Sequence, residues 1–187
     1  LLRLIEPDEG SIVFDGHDIR QASASALRAL RQRIQIVFQD PYASLNPRRT
    51  VGSSIIEGAM NFGLDRNAAL KLAGELMDRI RLPRTALDRY PHQFSGGQRQ
   101  RVGIARALAL KPRLLVADEA VSALDVSIQA QVLDLLKTVS GQFDLSVLFI
   151  THDLRVAAQI CDRIAVMRQG QLVELDRAAT IFYHPQH

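Results

Sequence analysis

The chain has 187 residues, 47% of them hydrophobic, and a formal net charge of +3, a composition that suits one domain with a core burying about 70% of its unfolded surface. No apolar run approaches the roughly 20 residues needed to span a bilayer, and the first residues lack a signal-peptide layout, so a soluble protein is expected. Cys161 is the single cysteine; it excludes an internal disulfide framework, suits a reducing cytoplasmic setting and reads as a packed core thiol, while arginines spread along the chain give nucleic-acid binding little support.

In chain order, Leu1 to Ile5 is apolar and helix-compatible, and Pro7-Asp8-Glu9-Gly10 stops it with a turn. Ser11 to Phe14 reads as a short strand, with Asp15-Gly16 as a hairpin turn leading to His17-Asp18-Ile19 and His17 as a surface residue. Ser25 to Arg31 follows as a short helix, and Ile34, Ile36 and Phe38 alternate as a strand ending at Gln39. Sites in open α/β sheets gather at such strand ends. The segment Tyr42 to Arg49, YASLNPRR, is kept out of regular structure by its prolines.

Two helices are predicted next, about Val51 to Asn61 and Arg66 to Arg81, the second carrying Leu70, Ala73, Leu76, Met77 and Ile80 as an ordinary packing stripe. Leu82-Pro83 ends it, and Tyr90-Pro91-His92-Gln93 leads into FSGGQ, with His92 and Gln93 read as positioning residues. Ser95 and Gln98 stand in the S-x-x-Q relation of a capping box, so a helix begins there. Gly96 and Gly97 leave its first-turn amides open to close approach, and the helix dipole favours an anion such as phosphate. An ordinary capped helix is the plainer reading of the same tetrapeptide.

That helix should stop at Lys111-Pro112, after which Leu114 to Ala117 forms a buried strand running into Asp118-Glu119. Two adjacent carboxylates after an apolar run require a polar opening at the strand end. Economy assigns one to magnesium and one to a water. Asp125 can cap a helix reaching about Val139, with Ile128, Val132, Leu135, Leu136 and Val139 inward. Ser146 to Ile150 is expected to be a buried strand that delivers Thr151-His152-Asp153 to the edge already holding Gln39 and Glu119. Arg163 to Met167 and Gln171 to Leu175 make a closing hairpin around Gly170, and Arg177 to Tyr183 a last helix.

FSGGQ, LLVADE, SALD at Ser122 to Asp125 and FITHD at Phe149 to Asp153, in this order, resemble the nucleotide-binding domain of an ABC ATPase over nearly the whole chain. VFQDPYASLNP resembles the Q-loop of the importer branch that handles oligopeptides, dipeptides and nickel. Ala120-Val121 stands where many ABC domains have Pro-Thr, a variation that branch tolerates. The resemblance implies an α/β fold, a P-loop NTPase-like ABC ATPase core over residues 1–187, with a helical insertion at about 45–100. It implies ATP and Mg2+ as cofactors, transmembrane permease subunits and a second ABC ATPase subunit as partners, and a peripheral place on the cytoplasmic face of the membrane. By resemblance Asp118 orients magnesium, Gln39 senses it, Glu119 polarises the attacking water and His152 contacts the γ-phosphate. Ser95, Gly96, Gly97 and Gln98 would serve nucleotide held by the opposite subunit, and Asp125 would cross the dimer interface unless it is only a cap. IFYHPQH resembles the segment that in this family leads into a further C-terminal extension.

Half of such a site is missing from the 187 residues. ATP chemistry of this kind needs a G-x-x-x-x-G-K-[S/T] cradle, and no glycine in the sequence is followed by Lys-Ser or Lys-Thr. In the family a stretch like LLRLIEPDEG follows directly on that cradle, so the expectation is an N-terminally truncated core with negligible ATPase activity of its own. ABC domains of DNA repair and translation are the alternative class. Their repair members carry long coiled coils, whereas the Gln39-to-Ser95 interval has no sustained heptads and is interrupted by Pro83 and Pro91. A non-catalytic fragment that dimerises through SGGQ and SALD is a third reading.

Overall fold

The computed structural model describes residues 1–186. A two-residue hairpin, β1 (Val13–Phe14) and β2 (His17–Asp18), comes first. Its turn places Asp15 and Gly16 at φ 54° and 78°, the paired left-handed conformation that suits hairpins and that Asp-Gly tolerates. Helix α1 (Ala24–Arg33) follows, its first turn capped by Ser23 accepting from Ala26 N–H. Then come β3 (Ile34–Val37), α2 (Val51–Asn61), α3 (Arg66–Arg79), α4 (Gly96–Leu108) and β4 (Leu114–Asp118). The order closes with α5 (Val126–Phe143), β5 (Ser146–Ile150), α6 (Leu154–Ile160), the β6 (Arg163–Arg168) and β7 (Gln171–Arg177) hairpin, and α7 (Ala178–Tyr183).

Strands β3, β4 and β5 form one parallel sheet in that order, registered Ile34 on Leu114 and Leu114 on Ser146. Side chains alternate across a strand, and the two faces of β3 and β4 meet different layers. Ile34, Ile36, Leu114 and Val116 pack with α1 and the first hairpin, together with Ile19, Leu27 and Leu30. Val37, Leu115 and Ala117 pack into the larger core supplied by α2, α3, α4 and α5. β4 is therefore enclosed on both faces, which explains its unbroken apolar run.

Three expectations are corrected. Leu1 to Ile5 is not helical: one turn of helix fixes several dihedrals for a single hydrogen bond, and here the carbonyls of Leu2 and Arg3 accept from Arg31 instead. β5 is not buried, because Leu148 and Ile150 are 42% and 45% exposed while Val147 and Phe149 pack on the main core. The α1 layer covers β3 and β4 and does not extend over this edge strand. Leu70 is 40% exposed on α3, and Ala69 takes the buried position; the inward face is Ala69, Ala73, Leu76 and Met77, with Ile80 buried just past the helix.

Elsewhere the two readings agree to within a few residues at element ends. Cys161 is half-buried beside Ile164 and Ile181, and burial pushes its thiol up. The closing hairpin turns at Gln169 and Gly170, both at positive φ. The sequence segment 181–187 continues one residue past the described part, so His187 lies outside it.

Candidate functional site

The site forms where β3 and β4 end. β3 delivers Gln39 two residues past its last strand residue, β4 ends at Asp118, and β5 leads to His152. Glu119 follows β4 in the left-handed region, at φ 46°, a conformation costing an L-residue of this kind about 1 to 2 kcal/mol. Its amide donates to the Ile150 carbonyl at 3.0 Å, so the pairing with β5 continues one residue beyond the strand. The backbone turns there and sets the carboxylate between two partners.

Gln39 Nε2 donates to Glu119 Oε2 at 2.8 Å. His152 Nδ1 lies 3.0 Å from Glu119 Oε1; since the carboxylate can only accept, Nδ1 carries the proton of this contact and Nε2 is the ring edge left free of Glu119. Gln39 Nε2 also stands 3.4 Å from Ser122 Oγ, which donates to the Glu119 carbonyl at 3.0 Å. Residues separated by 80 and 33 positions in sequence thus meet at one carboxylate. The Glu119 side chain is 28% exposed and that of His152 72%, so the glutamate is recessed and the imidazole stands in solvent.

Asp118, half-buried at the end of β4, makes no side-chain hydrogen bond or ion pair among the described residues. The described residues contain no group of three or more His, Cys, Asp or Glu side chains able to hold a metal. A magnesium ion in a phosphate site usually takes one or two carboxylates and keeps the rest of its shell as phosphate and water. Asp118, with Gln39 past the end of the neighbouring strand β3, fits that sparse donor set and does not fit an all-protein cage.

The second half of the predicted site is built on α4. Ser95 Oγ accepts from Gln98 N–H at 3.3 Å and Gln98 Oε1 accepts from Ser95 N–H at 3.0 Å, the reciprocal capping box. Both glycines stand in the first turn, whose amides have no partner within the helix. Asp125 caps α5 by accepting from Ile128 N–H at 3.0 Å. That bond, then the Ser127 hydroxyl, holds the Asp125 carboxyl below its usual value. No described hydrogen bond joins Ser95, Gln98 or Asp125 to the Gln39, Glu119 and His152 trio, so the structure brings together three of the predicted residues and leaves the others as separate clusters.

The sequence pattern did not reveal how α4 holds the segment on either side of Gln39. Gln100, fully buried, donates to the Phe38 carbonyl at 3.3 Å. Arg106 donates to the Ser44 carbonyl, and burial pushes its guanidinium down from the ordinary arginine value. Arg99, also buried, donates to the Pro91 carbonyl at 3.1 Å and lies 3.3 Å from the Tyr42 ring centroid. A polar residue repeated inside a helix that otherwise packs was the available signal: Gln100 and Arg106 interrupt the apolar face of α4.

A three-stranded parallel sheet with a carboxylate, an amide and an imidazole converging at its strand ends, followed by a capped SGGQ helix, defines an ATP-binding cassette type of domain. The chain belongs to the ABC transporter family, whose profile matches residues 1–122. Among its relatives, a putative peptide import ATP-binding protein of Brucella ovis is 49% identical over 188 residues, covering 100% of this chain and 59% of the relative. A glutathione import ATP-binding protein of Pectobacterium atrosepticum is 51% identical over 188 residues, covering 100% of this chain and 30% of the relative. The chain therefore spans well under two thirds of the length of these proteins. Of solved structures, cbiO1 of Clostridium perfringens, part of the ABC transporter complex cbiONQ, aligns with a TM-score of 0.88 at 28% identity, covering 98% of this chain and 72% of that one. The ATP-binding cassette MJ0796, in a dimeric post-hydrolysis state bound to ADP and Pi, aligns with a TM-score of 0.81 at 28% identity, over 94% and 76%.

Proposed function

We propose that the chain is the core of an ATPase subunit that couples ATP hydrolysis to import of peptides or a related small solute. The observation that carries this reading is the meeting of Gln39 and His152 on the recessed Glu119 carboxylate at the ends of parallel strands. Glu119 is placed to hold a water and take its proton, with Gln39 and His152 fixing the orientation of the carboxylate. His152, solvent-facing, can stabilise charge developing on a phosphoryl oxygen by donating Nε2–H in the doubly protonated ring, with Nδ1–H kept on Glu119. Asp118 and Gln39 would hold Mg2+, which supplies charge neutralisation on the phosphate oxygens when bound.

Ser95, Gly96, Gly97 and Gln98 act on nucleotide held by a second ATPase subunit, since the helix start offers amides and a positive dipole end but stands apart from the Glu119 cluster. Asp125 lies at the same boundary. The helical part at about residues 45–100 rests on transmembrane permease subunits, which places the protein at the cytoplasmic face of the membrane as a peripheral component. No described helix is long and apolar enough to cross a membrane. The names of the relatives, peptide import and glutathione import, support the solute class. Because the 187 residues contain no G-x-x-x-x-G-K-[S/T] sequence, the chain by itself turns over ATP negligibly.

The test mixes the chain with the Brucella ovis relative and follows co-migration in size-exclusion chromatography with Mg-ATP. The reading predicts association that needs nucleotide and is lost in Ser95→Arg. Association without nucleotide, or unchanged by Ser95→Arg, overturns the trans role of α4.

A further inference from the structure

Gly97 is closed off by a side chain of its own chain. A Cβ built at Gly97 would stand 2.2 Å from Ile128 Cγ2, a separation no pair of carbons tolerates, yet 3.6 Å from Ile128 Cβ, an ordinary contact. A Cβ at Gly96 would meet only Leu124 Cδ2, at 3.7 Å. The seam continues one turn further along α4, where the Arg101 guanidinium donates to Gln131 Oε1. Ile128 is also the residue whose amide is held by the Asp125 cap, at 3.0 Å. One residue therefore joins two motifs: its backbone receives the cap of S-A-L-D and its side chain lies against the middle of S-G-G-Q.

We propose that Ile128 is a positioning residue for the SGGQ helix start: its Cγ2 methyl, registered by the Asp125 cap, sets the first turn of α4 against α5, and Gly97 is glycine because that methyl occupies the space. This inference rests on the reading of Ser95 to Gln98 as an anion-binding helix start only for its functional consequence. The packing itself requires no nucleotide.

The experiment is a set of variants of the 187-residue chain followed by thermal unfolding and by amide hydrogen exchange. Gly97→Ala lowers the unfolding midpoint. Ile128→Ala in the same chain recovers more than half of that loss, because Cβ meets Cβ at a normal distance, whereas Ile128→Val, which keeps both branches on Cβ, recovers none of it. Should Gly97→Ala not fold alone, the same comparison is read as recovery of folded protein in the two double variants. Ile128→Ala on its own raises exchange at the amides of Gln98 and Arg99 at least tenfold, across the gap on the other helix, and a residue serving only the packing of α5 would leave those amides unchanged. Equal recovery by Ala and Val, or additive losses, overturns the proposal. Neither readout contains ATP, so failure here is distinct from failure of Ser95 to act on a partner's nucleotide.

Discussion

Glu119 holds its left-handed backbone because three bonds fix it from both ends: its amide to Ile150, and its carboxylate from Gln39 and His152. Replacing it with glutamine keeps the shape but places an NH2 where one of two donors already points. Glu119→Gln should therefore shift the His152 ring resonances in NMR and lower stability by about 0.5 to 1.5 kcal/mol, the net worth of one hydrogen bond. The cap residue Asp125 makes a pH-dependent prediction. Its carboxyl titrates below its ordinary value, so its contribution is complete above about pH 4 and is lost as pH falls through the lower folded value. Asp125→Ala should lower the unfolding midpoint at pH 7, with the gap from the parent chain closing below about pH 4; an equal gap at pH 7 and pH 3 contradicts the assignment. Glu119, Gln39 and His152 were legible as strand-end residues, because each follows an apolar run. Their mutual contact was not, since no periodicity encodes which strand ends are neighbours. Gln100 and Arg106 carried a signal, as polar interruptions of an apolar helix face, but their partners were not legible: a polar residue on a helix reads as solvent-facing until the segment that covers it is known.

Among the elements, β5 separates what an apolar run predicts from what the sheet does with it. Four consecutive apolar residues after Ser146 suggest enclosure, but an edge strand with one layer over it buries only alternate side chains. Phe149→Ala should cost about 3 kcal/mol and Leu148→Ala less than about 1 kcal/mol, measured by denaturant unfolding. Comparable losses would mean that both faces are covered. The helix ends follow local chemistry closely, as the capping box of α4 and the cap of α5 were readable from S-x-x-Q and from an aspartate before an amphipathic run. The far end of α5 was less so. It closes on Asp144 at φ 49° rather than on glycine, where an acidic side chain also faces the negative end of the helix dipole. Asp144→Gly should raise stability by about 0.5 to 1 kcal/mol, because glycine takes the left-handed position without strain.

Across the whole molecule, a parallel sheet separates two packed layers and presents its chemistry along one edge. α4 spans that arrangement: it starts at SGGQ, grips the chain on either side of Gln39 through Gln100 and Arg106, and leads into the strand that ends at Asp118, just before Glu119. A displacement of α4 thus acts on both the SGGQ helix start and the Gln39 contact to Glu119. What the 187 residues lack is a lysine-bearing phosphate cradle, and the proposed mechanism assigns Glu119, Gln39, Asp118 and His152 to nucleotide that such a cradle would hold. The most direct measurement is equilibrium binding and turnover of Mg-ATP by this chain, with Ser95→Arg and Glu119→Gln alongside. The account predicts no saturable binding at millimolar nucleotide and no turnover in any of the three. Specific binding that survives Ser95→Arg, with turnover abolished by Glu119→Gln, would contradict it by demonstrating a working site around Glu119 without a phosphate loop.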